Sequence, residues 1–163
     1  MILRRRIERR GDGARLRLPK EERHLLRELV ADLDARLADE AGDDDLRRLF
    51  PPAYDTAPDD EAEYRRLQRS ELLDGHREAL RVVESTIERD HLTGPELEDW
   101  LKALNELRLV LGTRLDITEE SYGQWPDPRD PGARERALYL YLSALQEEAV
   151  AAAHHGRFSD RHG

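Results

Sequence analysis

The sequence predicts a mainly α fold, a single-domain helical bundle of about five helices with an N-terminal β-hairpin. Three observations lead there. Between Leu92 and Ile117 apolar residues recur at Leu97, Trp100, Leu101, Leu104, Leu107, Leu111 and Leu115, the three-and-four step of one helix face. Similar stripes run on both sides of that stretch. Residues 2–18 alternate instead, with a Gly-rich turn in the middle, as a hairpin does. At 163 residues the chain suits one domain with one core. Residues 1–153 are assigned to that domain and 154–163 to a disordered tail.

The hairpin comes first. Gly11-Asp12-Gly13 is its turn. Ala14, Leu16 and Leu18 alternate with Arg15 and Arg17, and Leu3 shares a face with Ile7. Pairing Ile7 with Leu16 aligns the apolar faces and leaves Arg4, Arg6, Arg15 and Arg17 in water. Two strands are marginal alone, so the ribbon must lie on the helices or pair with another chain.

Pro19 opens a helix to about Glu40, with Leu25, Leu26, Leu29, Val30, Leu33 and Leu37 as its stripe. A short helical turn over 44–50 ends at Pro51-Pro52 within a segment rich in acid. Helix resumes over 59–69 with Tyr64 and Leu67 as contacts, and Ser70 caps the next helix, 71–89. That helix carries Leu72, Leu73, Leu80, Val83 and Ile87.

The central helix starts most plainly of all. Thr93 and Glu96 make a capping box, Leu92 and Leu97 flank it as a staple, and Pro95 sits in the first turn. Val110 and Leu109 widen the stripe, so its second half is apolar on nearly every side, as an interior helix is. The prolines at 126, 128 and 131 mark a loop, Asp130-Pro131 starts the last helix, and Leu138, Tyr141, Leu142, Leu145 and Val150 face inward.

Composition excludes several classes. There is no cysteine, so disulfides, thiolate nucleophiles and cysteine metal sites are ruled out. No apolar run reaches the ~18 residues of a membrane span, and no apolar core follows the basic N-terminus as a signal peptide requires. A cytoplasmic protein is expected. The formal charge is −9, yet residues 1–23 carry nine Lys and Arg against four Asp and Glu. An acidic body with a basic front invites self-association or a polyanion.

No phosphate-binding, dinucleotide-binding, zincin or nucleophile-elbow motif occurs, and no cofactor or metal is expected. His154, His155 and His162 lack a carboxylate framework for a metal. Two groups of candidate site residues remain. On the central helix, Asn105, Arg108 and Arg114 interrupt the apolar face, and Gly112 lies one turn beyond Arg108. They are either satisfied inside the core or form a binding pocket or a dimer contact through Gly112. In the hairpin, Arg4, Arg6, Arg15 and Arg17 are either a solvated face, a nucleic-acid contact or a ribbon for dimerisation.

Several segments together resemble one family. They are Leu18-Pro19 with Glu21-Glu22, Arg48-Leu49-Phe50-Pro51-Pro52-Ala53-Tyr54, Glu63-Tyr64-Arg65, and the run from Trp100 through Asn105 and Arg108 to Arg114-Leu115. The family is actinobacterial, commonly encoded beside the protease adaptor ClpS, and includes the AosR oxidative-stress regulators. The resemblance implies a helical domain with a small N-terminal ribbon and a regulatory rather than enzymatic role. It implies transcription regulation with a sigma factor, or an accessory role with a Clp component. It also adds Arg65 to the polar candidates. Redox-responsive relatives sense through a cysteine pair, which this chain lacks. A protein partner is the expectation that follows; the arginine ribbon adds DNA contact as a further expectation, and the apolar breadth of Leu104–Leu115 a homodimer.

Overall fold

The computed structural model describes residues 5–39, 44–50, 59–115 and 129–159. In chain order the elements are β1 (Ile7–Arg10), β2 (Gly13–Leu16), α1 (Lys20–Ala38), a short 3-10 helix (Asp44–Leu49), α2 (Asp59–Thr86), β3 (His91–Leu92), α3 (Gly94–Arg114) and α4 (Ala133–Ser159). The fold is mainly α, as the periodicity predicts. Each of the other helices and β2 packs on α3.

Both halves of the capping box hold α3 at its start. The Glu96 backbone N–H donates to Thr93 Oγ1 at 3.3 Å, and the Thr93 N–H donates to Glu96 Oε1 at 2.9 Å. These bonds satisfy two donors that a helix start otherwise leaves free. Along its length α3 buries Leu97, Trp100, Ala103, Leu104, Leu107 and Val110, while Leu101, Leu109 and Leu111 pack at the margin. Trp100 is wholly enclosed. Its indole N–H donates to Thr86 Oγ1 at 2.7 Å, and that hydroxyl donates on to the Val82 carbonyl. A ring this large therefore enters the core without leaving its polar atom unpaired.

The hairpin forms in the expected register, Ile7 opposite Leu16. The sequence reading misses its third strand. β3 pairs antiparallel with β2, Ala14 opposite Leu92, giving the order β1-β2-β3. The Leu92 expected to act only as a helix staple is a fully buried strand residue. The third strand and the packing of β1 and β2 on α4 supply the support that a two-stranded ribbon needs.

Three helix boundaries differ from expectation. The helices predicted on either side of Ser70 are one helix, α2, with Ser70 exposed in its interior; the seryl N-cap signal gave way to unbroken helical backbone. Tyr64 and Leu67, expected to be core contacts, are 62% and 61% exposed in the first turns of α2. The last helix runs to Ser159, so residues 154–159, expected to be disordered, are helical. Its start moves from Pro131 to Ala133, because Gly132 with φ +91° turns the chain there. On α4 the buried line is Leu142, Leu145, Ala149 and Ala152. Val150 lies off that line and is 48% exposed, contrary to its predicted inward face.

Gly13 is the tightest backbone site. A Cβ there would lie 1.9 Å from the Leu92 carbonyl oxygen, an overlap that only separation of β2 from β3 relieves. Gly13→Ala is expected to destabilise the fold by about 3 kcal/mol. Urea denaturation measures this. Gly11, whose Cβ position is open but whose φ is +62°, is expected to cost about 1 kcal/mol on changing to Ala.

Candidate interaction site

The structure divides the arginines of the ribbon into docked and outward ones. Arg6 is expected in water but is pinned. Its Nε and Nη2 donate to the two oxygens of Glu22 on α1, at 2.5 and 3.1 Å, and its backbone N–H donates to Glu148 Oε1 on α4 at 3.0 Å. Its guanidinium lies 5.8 Å from the centre of the Tyr141 ring. The planar fork suits a two-point carboxylate contact. Hydrogen bonding to Glu22 raises the Arg6 pKa further, and burial followed by Glu22 holds the Tyr141 phenol well above its ordinary range. Arg9 adds a second tie, donating to the Ala152 carbonyl at 3.3 Å. Arg17 is partly buried and reaches Glu8 at 3.5 Å. Arg15 points to solvent. Arg4 lies outside the described residues.

The polar residues of α3 also part company. Asn105 and Arg108 both face α4, where Asn105 Oδ1 accepts from Gln146 Nε2 at 3.3 Å. Arg114 is exposed at the end of α3 and lies 3.7 Å from Glu135. Gly112 is buried against α4 within the chain. A Cβ on it would sit 3.1 Å from the Tyr139 ring, so its bare backbone admits a side chain of α4. Arg65 is half-buried in the first half of α2.

Two charged groups that the sequence reading passes over are deeply buried. His76 on α2 is 8% exposed and Glu106 on α3 is 2% exposed. His76 Nδ1 lies 2.5 Å from Glu106 Oε1, and Nε2 donates to the Leu49 carbonyl at 2.9 Å. The ring thus ties α2 to α3 and to the 3-10 helix, with Phe50 packed edge-on against it. The hydrogen bond to Glu106 raises the His76 pKa, and burial raises that of Glu106. Both shifts keep a proton within the pair. Arg23, also buried, donates to the carbonyls of Leu18, Ile87 and Arg89 and to Asp90. It clips the start of α1 to the α2–β3 connection.

An open groove of about 380 Å³ runs between α3 and α4, with Arg108 on one wall and Ser143, Gln146, Glu147, Val150 and Ala151 on the other. Three polar atoms in its lining are buried yet find no hydrogen-bond partner among the described residues: Arg108 Nε, Ser143 Oγ and Gln146 Oε1. Of the residues expected to carry a polar site, Arg108 lies in this groove and Asn105 stands behind it through Gln146. Ser143 and Gln146 gave no signal in the sequence, because isolated polar residues on a helix read as solvent-facing.

Among the described residues no three His, Cys, Asp or Glu side chains converge to hold a metal, and no helix is long and apolar enough to cross a membrane. A helical domain built round one buried helix, with a three-stranded sheet docked on its last helix and a groove alongside, is the class defined here. The chain belongs to the family described as a domain of unknown function, DUF2017, whose model matches residues 4–153. It is 32% identical over 130 residues to the protein named oxidative stress regulator AosR of Mycobacterium tuberculosis (strain H37Rv), covering 69% of this chain and 59% of that relative. The same name and identity apply to the Mycobacterium bovis relative. It is 30% identical over 144 residues to the putative oxidative stress regulator AosR of Mycobacterium leprae, covering 77% of this chain and 65% of the relative. The chain thus spans about three-fifths of the length of the curated relatives it matches. No solved structure matches it.

The His76–Glu106 pair makes stability depend on pH. Because the folded His76 pKa stands above its ordinary 6.5, its contribution is fully present below about pH 6.5 and is lost as pH rises through the folded value. Unfolding free energy is expected to fall with rising pH across that window. His76→Leu alone, leaving Glu106 buried and unpaired, is expected to cost about 3–5 kcal/mol, and His76→Leu with Glu106→Leu to recover most of it. Denaturant titrations across pH 6–9 measure all three, and the double variant is expected to lose the pH slope.

Proposed function

We propose that this protein is a non-enzymatic regulatory protein that acts by binding a protein partner in transcription, without thiol redox sensing. The observation that carries the reading is its 30–32% identity to proteins named as oxidative stress regulators. The chain has no cysteine, so whatever it regulates cannot depend on a disulfide within it. A partner of the sigma-factor class is the reading that the family resemblance favours.

A protein partner fits the charge better than DNA does. The net charge is −9, and binding DNA requires cations free to neutralise phosphates. Arg6 is paired with Glu22, Arg9 reaches a helix carbonyl and Arg17 reaches Glu8. The ribbon therefore spends much of its positive charge on its own protein.

The test is direct binding of the purified chain to sigma factors of its host and to generic duplex DNA, at low and physiological salt. Saturable binding to a sigma factor is expected, unaffected by peroxide treatment of the chain, with duplex binding lost at physiological salt. Arg10→Ser with Arg15→Ser is expected to abolish the low-salt duplex binding and leave the fold intact. Binding to no sigma factor, or salt-resistant binding to DNA alone, overturns the reading.

A further inference from the structure

We propose that the α3–α4 groove binds the free carboxyl terminus of a peptide chain, a chemistry that a small N-acyl amino acid shares. The inference rests on the partner-binding reading above and names what the partner offers.

The argument is an inventory of donors and acceptors. Ser143 is 5% exposed, and its Oγ has no partner among the described residues. Arg108 Nε is buried in the facing wall, likewise unpartnered. Both can donate. The Gln146 side chain is oriented by its Nε2–H, which donates to Asn105 Oδ1. That leaves Gln146 Oε1 as an unpartnered acceptor in the groove. The unpartnered atoms are therefore two donors, one of them cationic, beside one acceptor, with the Glu147 carboxylate and the His154 ring also lining the groove.

A chain end supplies the complement. Its α-carboxylate accepts from Arg108 and Ser143, and its last backbone N–H donates to Gln146 Oε1. An inorganic anion satisfies the donors but sets an anionic oxygen against the Gln146 carbonyl. A hydrocarbon satisfies none of the three, and buried polar groups without partners are costly. The remaining wall suits a side chain, because Val150 and Ala151 are apolar and Val150 is 48% exposed. The volume, about 380 Å³, lies at the small end of ligand sites and fits one or two residues. Glu147 at the same groove disfavours a second negative charge, so the residue before the apolar end should be neutral or basic. The planar Arg108 fork matches a carboxylate at two points, which a lysine would not.

The experiment uses the full chain and a dye-labelled hexapeptide ending in Lys-Leu, with either a free carboxylate or a carboxamide, read by fluorescence anisotropy. The free acid is expected to bind saturably and about tenfold or more tighter than the amide, the margin of a charge-assisted hydrogen bond. Arg108→Met should bring the acid down to the level of the amide, and Arg108→Lys should keep the fold but lose most of the preference. Ser143→Ala should weaken the acid severalfold. Amide-proton NMR should place the shifts on 105–108 and 143–151. Equal binding of acid and amide, binding of neither, or an acid preference that survives Arg108→Met overturns the proposal. Should Arg108→Met lose the peptide but keep full sigma-factor binding, the groove stands as a site for chain ends and only its assignment to that partner falls. Should the acid bind as expected while no sigma factor does, the groove stands and the reading of its partner falls.

Discussion

The fold depends on covering one helix that has almost no polar side. From Leu104 onward α3 carries Leu107, Leu109, Val110 and Leu111 around most of its circumference, and water must be kept from all of them. No single neighbour can do that. The structure uses α2 and α4, with α1, the 3-10 helix and β2 filling the gaps. Replacing one buried leucine of such a helix by alanine costs about 2–5 kcal/mol, a large part of a small domain's stability of about 5–15 kcal/mol. The other elements are therefore arranged as a jacket, and their order in the chain matters less than the face each presents.

A jacket of leucines alone would slide, since apolar contact is not directional. The buried polar groups fix the register. Arg23 makes four hydrogen bonds that hold α1 at one height against the α2–β3 connection. Trp100 and Thr86 fix α3 against α2, and His76 with Glu106 fixes the same two helices nearer the other end of α3 while gripping Leu49. Arg6 and Glu22 set the sheet on α1, and Glu148 on α4 accepts from the Arg6 backbone N–H. Each tie joins separate elements of the fold. A slipped packing would leave a buried charge or hydrogen-bonding group unpaired, which costs more than a displaced methyl group.

The helices were legible because each buries one stripe with a fixed period, and the period is written locally. The hairpin register was legible because a one-residue slip would have turned Leu16 and Ile7 outward. The third strand was not, since two residues carry no period; only the paired structure reveals that Leu92 completes the sheet. The buried charges were half-written. Arg23 stands three residues before Leu26 on the stripe of α1, and His76 stands four before Leu80 on that of α2. Charged residues on an apolar stripe are signals of a tie, though their partners, tens of residues away, are a property of the fold. The candidate site shows the same division. Arg108 interrupts an apolar run and was visible, whereas Ser143 and Gln146 became notable only when helix packing hid their polar atoms. Tyr64 and Leu67 mark the reverse error, since apolar spacing on α2 says which residues share a face and not whether anything covers it.

α4 joins these features physically. One of its faces, Leu142, Leu145, Ala149 and Ala152, closes the core against α3. A second receives the ribbon through Glu148 and the Ala152 carbonyl. A third, with Ser143, Gln146 and Val150, walls the groove. Because one rigid helix carries all three, ribbon and groove hold a fixed relation that does not alter with oxidation of any thiol, there being none. On the reading proposed above, a regulator of this build differs from a redox sensor in kind. Its surface is set once, at folding, and its output follows how much of it is present and what occupies it. The ribbon arginines that face inward are committed to structure, and the buried polar atoms left without partners lie on another flank of α4, at Ser143 and Gln146, and on α3 at Arg108.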